Sequence, residues 1–192
     1  MKDLIIDYTK IKGIDLSESR KLCVEMENQF DTGQQAYHLY AYISTLFNNS
    51  TILDIGTEWG NSAICLAYNN TNKVISYDIN DHGAGRIEKS NIDFHIKNFM
   101  EDSIDWDTIS VILIDVDPHD SLQERKMLKF LEKINWKGLL LLDDIGPMFP
   151  HMNIWFHSLQ YEKYILDTEI GHYSGTGLVN FGNLYNITFQ NN

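Results

Sequence analysis

Residues 52–62, ILDIGTEWGNS, restrict the fold more than any other stretch of the chain. Ile52, Leu53 and Ile55 form a strand-like run without the polar alternation of a half-exposed strand, which implies burial on both faces. Gly56 ends the run, Gly60 follows four residues later, and Ser62 to Ala67 then reads as helix. A buried strand turning through glycines into a helix presents backbone N–H groups and the positive end of a helix to a ligand. Gly56 and Gly60 are expected to let that ligand approach the main chain closely. Such a site lies at the carboxyl end of a central strand, where open α/β sheets bind nucleotides.

The remainder of the chain supports this frame. Strand patterns fall at 51–55, 74–78, 92–96, 111–115, 138–143, 163–168 and 177–181, with helical patterns in most gaps. Alternation of this kind predicts a mostly parallel seven-stranded sheet with helices on both faces. Only GHYSGTG separates the last two strands, which predicts an antiparallel pair at one edge. Two helices precede the sheet. The first spans 16–30, with Leu22, Met26 and Phe30 on one face. The second spans 34–47, where Ala36, Leu39, Tyr40, Ile43, Leu46 and Phe47 share a face. Tyr37, Tyr40 and Tyr42 are candidates for a pocket wall, with core packing as the competing reading. In the helix predicted over 121–134, Ser121 and Glu124 have the spacing of a capping box. At 192 residues the chain suits a single domain, residues 1–48 forming the N-terminal helices and 49–182 a nucleotide-binding core.

The net charge of −12 disfavours a nucleic-acid partner, because an acidic surface repels phosphate backbones. The N-terminus MKDLIIDYTK lacks a signal-peptide pattern, and no stretch reaches membrane-spanning length. Cys23 and Cys65 read as small buried hydrophobes of a reducing compartment. A cytoplasmic protein without membrane contact is expected, and a homodimer is left open.

Asp78 ends the second core strand about twenty residues beyond the glycine turn, where an acid can accept hydrogen bonds from both hydroxyls of a ribose. The loop reads G-T-E-W-G and not the G-x-G-x-x-G that a dinucleotide's pyrophosphate needs. A nucleoside without a phosphate therefore fits better. DIGTEWGNS followed by YDIN resembles the first two motifs of the class I S-adenosylmethionine-dependent methyltransferases, over roughly residues 34–182. The resemblance implies a Rossmann-like fold with S-adenosylmethionine as cofactor. Gly56, Thr57, Glu58, Gly60 and Ser62 would lie at its methionine end, Asp78 and Ile79 at its ribose, and Asn98 and Phe99 near its adenine. Asp115 is counted with the cofactor-binding residues as well.

The fourth strand runs into Asp115, Asp117, His119 and Asp120, and the fifth ends in Asp143-Asp144. Adjacent parallel strands would crowd these acids together, which is costly unless protons or a cation compensate. Three carboxylates with water suit Mg²⁺ or another hard divalent cation. D-x-D after the fourth strand and D-D after the fifth resemble the metal-dependent O-methyltransferases that act on macrolide and aminocoumarin sugars. That resemblance implies Asp115, Asp143 and Asp144 as metal ligands and Asp117 as general base, with its pKa raised by crowding; His119 is the competing base. His151 and His172 are set aside as loop histidines, and Trp155 and Phe156 as core. The expected function is methylation of a hydroxyl on a sugar, as a glycan or glycosylated small molecule. Alternatives are another small-molecule, nucleic-acid or protein acceptor, a non-catalytic cofactor-binding subunit, and an NAD-dependent sugar oxidoreductase, which the loop spacing disfavours.

Overall fold

A computed structural model describes residues 2–24 and 29–190. Its elements, in chain order, are β1 (Lys2–Asp7), α1 (Tyr8–Lys12), α2 (Ser17–Lys21), α3 (Gln29–Thr32), α4 (Gln34–Thr45), β2 (Thr51–Ile55) and α5 (Asn61–Leu66). They continue with β3 (Lys73–Asp78), β4 (Ile92–Ile96), β5 (Ile109–Ile114), α6 (Leu122–Lys133), β6 (Gly138–Leu142), α7 (Pro150–Ser158), β7 (Lys163–Ile165), α8 (Asp167–Ile170), β8 (Gly177–Phe181) and β9 (Tyr185–Gln190). Seven strands form one sheet in the order β4-β3-β2-β5-β6-β8-β7. From β4 through β6 every pairing is parallel, whereas β8 runs antiparallel to both β6 and β7. The antiparallel strand thus lies one position in from the edge.

The central strands are buried on both faces, and their side chains divide by the period of two expected of strands. Ile52, Val111, Leu113, Leu139 and Leu141 join the core beneath α4 and α5. Leu53, Ile112, Ile114, Leu140 and Leu142 join the opposite core, with Leu128 and Leu131 of α6 and Trp155 and Phe156 of α7. Trp155 and Phe156 are therefore core residues, as the sequence suggested.

Three features differ from the sequence reading. Helix 16–30 does not form as one piece: α2 ends at Lys21, Leu22–Val24 are non-helical, and Met26 lies outside the described residues. The capping box at Ser121 is absent, because Ser121 takes a left-handed φ of 70° and its Oγ accepts from Arg125 Nε at 3.0 Å. Asp120 Oδ1 accepts the Leu122 N–H instead, at 2.9 Å. Finally, β1 and β9 pair in parallel as a separate two-stranded ribbon. Tyr42 ties this ribbon to α4, its hydroxyl donating to Ile5 O at 2.8 Å and accepting from Asp7 N at 3.1 Å. Tyr42 is accordingly structural. No described helix is long and apolar enough to cross a membrane.

Candidate active site

The loop after β2 is held against β3 from both ends. Gly56 N–H donates to Tyr77 O at 2.8 Å, and Glu58 N–H donates to Asp78 Oδ2 at 2.9 Å. Asp78 Oδ1 accepts from Asn80 N–H at 2.9 Å, so the carboxylate expected at a ribose also fastens the glycine loop to the β3 turn. Each of its oxygens keeps a second lone pair for a hydroxyl donor. Ile79 beside it is exposed.

Gly56 and Gly60 both adopt left-handed φ, 90° and 85°. The expectation that Gly56 leaves room for a ligand needs correction: a Cβ there would lie 1.6 Å from the Asp115 carbonyl oxygen. The absent side chain admits the β5 loop, which brings Asp115 against the glycine turn. At Gly60 a Cβ would meet Ile87, Ala84 and Phe94 side chains.

Between this loop and α4 lies a cavity of about 90 Å³, lined by Gly33, Ala36, Tyr37, Tyr40, Gly56 to Trp59, Asn61, Ser62, Asp115, Asp143 and His172. Tyr37 and Tyr40 thus face a pocket, the reading the sequence left open. Tyr40 is 1% exposed, and its hydroxyl has no hydrogen-bond partner among the described residues; the same holds for the buried Thr57 hydroxyl. Burial, followed by the nearby Asp143 and Asp115 charges, drives the Tyr40 pKa well above the tyrosine range. Ser62 Oγ donates at 3.1 Å to Asp54 Oδ2, which also accepts from Ser76 Oγ at 2.8 Å. Buried polar groups are rarely left unpaired, so the two free hydroxyls point to a ligand.

Asn98 caps the turn after β4, its Oδ1 accepting from Met100 N–H at 3.1 Å. Phe99, expected at an adenine, is instead 1% exposed and packed against Tyr77, Trp106 and Phe130. Its apolar ring is better satisfied in the core than at the cleft, leaving only Asn98 of that pair near the surface.

The acids separate into two groups. Asp115 and Asp143 continue the α4-facing set of their strands (111, 113, 115 and 139, 141, 143) and meet in the cavity. Asp144, one residue on, lies beyond the end of β6 with a left-handed φ of 57°. Its Oδ2 lies 3.1 Å from His119 Nδ1, and Asp117 Oδ1 lies 3.0 Å from His119 Nε2. Asp115, His119 and Asp144 each offer a ligand atom within 4.8 Å of the others. Asp143 is not in that group. Its Oδ1 accepts from Thr176 Oγ1 at 3.1 Å, beside His172. The D-D pair does not converge as a unit: β6 ends at Leu142, and with Asp144 at a left-handed φ of 57° its carboxylate meets His119 while that of Asp143 meets Thr176.

Desolvation, then the charges of Asp143 and Asp144, push the Asp115 carboxyl well above the usual carboxylate range. Desolvation and Asp143 raise Asp144 too. Asp117, expected to be crowded, instead projects into solvent at 94% exposure. His172, a loop histidine by sequence, is buried, with Nε2 2.9 Å from Ser174 Oγ and Nδ1 2.9 Å from Thr176 Oγ1. The hydroxyls at alternate positions in H-Y-S-G-T were the available sequence signal. Phe149 packs edge-on to His119, centroids 5.0 Å apart.

No family profile matches the chain, and no curated protein matches it in sequence. Solved structures do match in fold. N-methyltransferase NodS from Bradyrhizobium japonicum WM9, solved with S-adenosyl-L-homocysteine, aligns at TM-score 0.53 and 12% identity over 85% of this chain and 95% of its own. A SAM-dependent methyltransferase from Aquifex aeolicus aligns at 0.53 and 15%, over 91% and 97%. A Staphylococcus aureus protein assigned as a caffeoyl-CoA O-methyltransferase aligns at 0.52 and 14%, over 91% and 92%. The fold is that of the class I S-adenosylmethionine-dependent methyltransferases. In this methyltransferase fold the cavity beneath α4 and the Asp78 turn occupy the carboxyl edge of β2 and β3, the edge at which open α/β sheets bind ligands.

Proposed function

We propose that the chain is an S-adenosylmethionine-dependent O-methyltransferase that acts, with a divalent cation, on a hydroxyl of a sugar or similar polyhydroxylated small molecule. One observation carries the donor assignment: two buried, unpartnered hydroxyls, Tyr40 and Thr57, face a cavity at the carboxyl end of β2. Asp78, with a free lone pair on each oxygen, would take the ribose hydroxyls. The bound donor would supply an electrophilic methyl group on a sulfonium.

The chemistry of the donor set fits a divalent ion. Asp115, Asp144 and His119 Nδ1 would hold it, and an imidazole beside two carboxylates accommodates Mn²⁺ and its neighbours as well as Mg²⁺. Such an ion would lower the pKa of a coordinated acceptor hydroxyl. His119 presents its other nitrogen to Asp117, and a carboxylate behind a ligating imidazole fixes ring orientation and tautomer. Asp117 itself stands outside the converging group and open to solvent. It is therefore free to receive the acceptor proton, and His119 holds it in place. Phe149 walls the acceptor side next to His119.

The test is twofold. Incubation with labelled S-adenosylmethionine and a panel of sugars, nucleotide sugars and catechols should give a chelator-sensitive methyl ether on a polyhydroxylated acceptor. Metal titration followed by Mn²⁺ electron paramagnetic resonance should show His119→Ala binding at least about tenfold more weakly than the parent protein. Chelator-resistant methylation, or unchanged Mn²⁺ affinity in His119→Ala, would count against the metal centre.

A further inference from the structure

The cavity beneath α4 holds two carboxylates, only one of which belongs to the group proposed to hold the metal. Asp115 and Asp143 are neighbours across β5 and β6: Ile114 pairs with Leu142, and Asp143 N–H donates to Ile114 O at 3.1 Å. Both side chains line the cavity, and none of the described residues lining it is Lys or Arg. The His172 ring on the same wall lies 3.5 Å from Asp143 Oδ1, with its nitrogens also held by the Thr176 and Ser174 hydroxyls. His119 pairs with Asp144 and Asp117. Two enclosed carboxylates with no Lys or Arg beside them repel one another and favour a positively charged occupant. The unpartnered Tyr40 and Thr57 hydroxyls face the same space and mark it as a ligand site independently of the acids.

On the methyl-donor reading above, the ligand itself meets this need. Before transfer it carries a sulfonium. Transfer breaks the S–CH₃ bond with the electron pair left on sulfur, the methyl group goes to the acceptor oxygen, and the acceptor proton goes to the base. The spent product is a neutral thioether. In the low-dielectric interior a unit charge is felt across a space of this size. We infer that Asp143, together with Asp115, recognises the positive charge of the donor, so that the protein holds S-adenosylmethionine in preference to S-adenosylhomocysteine and releases the product once the charge is lost. Asp143 thereby belongs to donor selection and not to the metal shell.

Calorimetry on the chelator-treated full chain tests this with three ligands: S-adenosylmethionine, S-adenosylhomocysteine and sinefungin, whose amine restores a positive charge near the sulfonium position. Both charged ligands should bind at least about tenfold more tightly than S-adenosylhomocysteine. In Asp143→Asn, which keeps an acceptor for Thr176, the ratio should fall to within about threefold while S-adenosylhomocysteine binds at least as well as before. Tyr40→Phe should weaken all three ligands by similar factors, because its hydroxyl senses the site and not the charge. Mn²⁺ affinity in Asp143→Asn should match that of the parent chain. Equal binding of charged and neutral ligands by the parent chain overturns the inference without need of a variant. So does an unchanged ratio, or lost Mn²⁺ affinity, in Asp143→Asn. Failure of all three ligands to bind defeats the methyl-donor reading itself, and this inference with it.

Discussion

Gly56→Ala should be the most damaging single-methyl change in the chain, for a reason that has little to do with a ligand. An added Cβ would lie 1.6 Å from the Asp115 carbonyl oxygen, 2.7 Å from its carbonyl carbon and 2.9 Å from Val116 Cγ1. The first two are backbone atoms, so no rotamer change relieves them. The β5 loop must move away by more than an ångström. Left-handed φ costs a non-glycine residue roughly 1–2 kcal/mol, and forcing extra volume into a packed site costs roughly 1–3 kcal/mol more. A loss of about 2–5 kcal/mol follows, worth roughly 2–4 °C of Tm per kcal/mol in a domain of this size. Asp115 would move with the loop, so donor and metal affinity should fall as well. Gly60→Ala meets chiefly the tip of Ile87 at 2.4 Å, which can rotate, and should cost less despite its φ of 85°. Gly85→Ala, with nothing within 4 Å, is the control and should stay within about 0.5 kcal/mol of the parent. Urea denaturation of the three variants decides the matter. A Gly56→Ala protein within about 1 kcal/mol of the parent would refute the packing argument.

Other expected outcomes are more local. Leu141→Ala, at a fully buried position of a central strand, should cost about 2–5 kcal/mol in denaturant melts, and a smaller loss would mean that the core beneath α4 collapses around the gap. Burial raises the Asp54 pKa in the folded state, partly offset by hydrogen bonds from Ser76 and Ser62. The folded protein therefore holds this proton more tightly than the unfolded chain. Its contribution to stability is largest below the ordinary aspartate value of about 3.9 and declines as pH rises towards the folded pKa. Asp54→Asn should accordingly gain stability relative to the parent across that rise, as measured by urea melts from pH 4 to 7; a difference that does not change with pH would contradict the burial argument. Asp117→Asn should lower kcat by about 10²–10⁴ with Mn²⁺ affinity largely kept, and near-normal turnover would remove it as the base.

Much of the architecture could be read in advance because it depends on period. Uninterrupted apolar runs such as VILI and GLLLL have few alternatives to doubly covered parallel strands, and the structure places all seven expected strands in one sheet. The β1–β9 ribbon was less visible: KDLIID and YNITFQ are short, sit at the ends of the chain, and pair over a separation that no local pattern encodes. Helix 16–30 was overextended because Leu22 and Phe30 share a helical spacing without the chain between them being helical throughout. At the site, the sequence showed which acids lie at strand ends but not which way they face. Asp143 and Asp144 look like a pair in one dimension, but β6 ends at Leu142 and the left-handed φ of Asp144 gives the two carboxylates different partners, Thr176 and His119. The family resemblance implies a place near the adenine for Phe99, although an aromatic ring beside Tyr77, Trp106 and Phe130 gains more from burial.

The central claim is that the β2–α5 turn, Asp78 and the cavity under α4 together hold a methyl donor. Titration calorimetry with S-adenosylmethionine and NAD on the parent chain and Asp78→Ala tests it most directly. One S-adenosylmethionine should bind per chain, at least about tenfold more weakly in Asp78→Ala, with no heat from NAD. Binding of NAD in its place, or an S-adenosylmethionine affinity indifferent to Asp78, would contradict it.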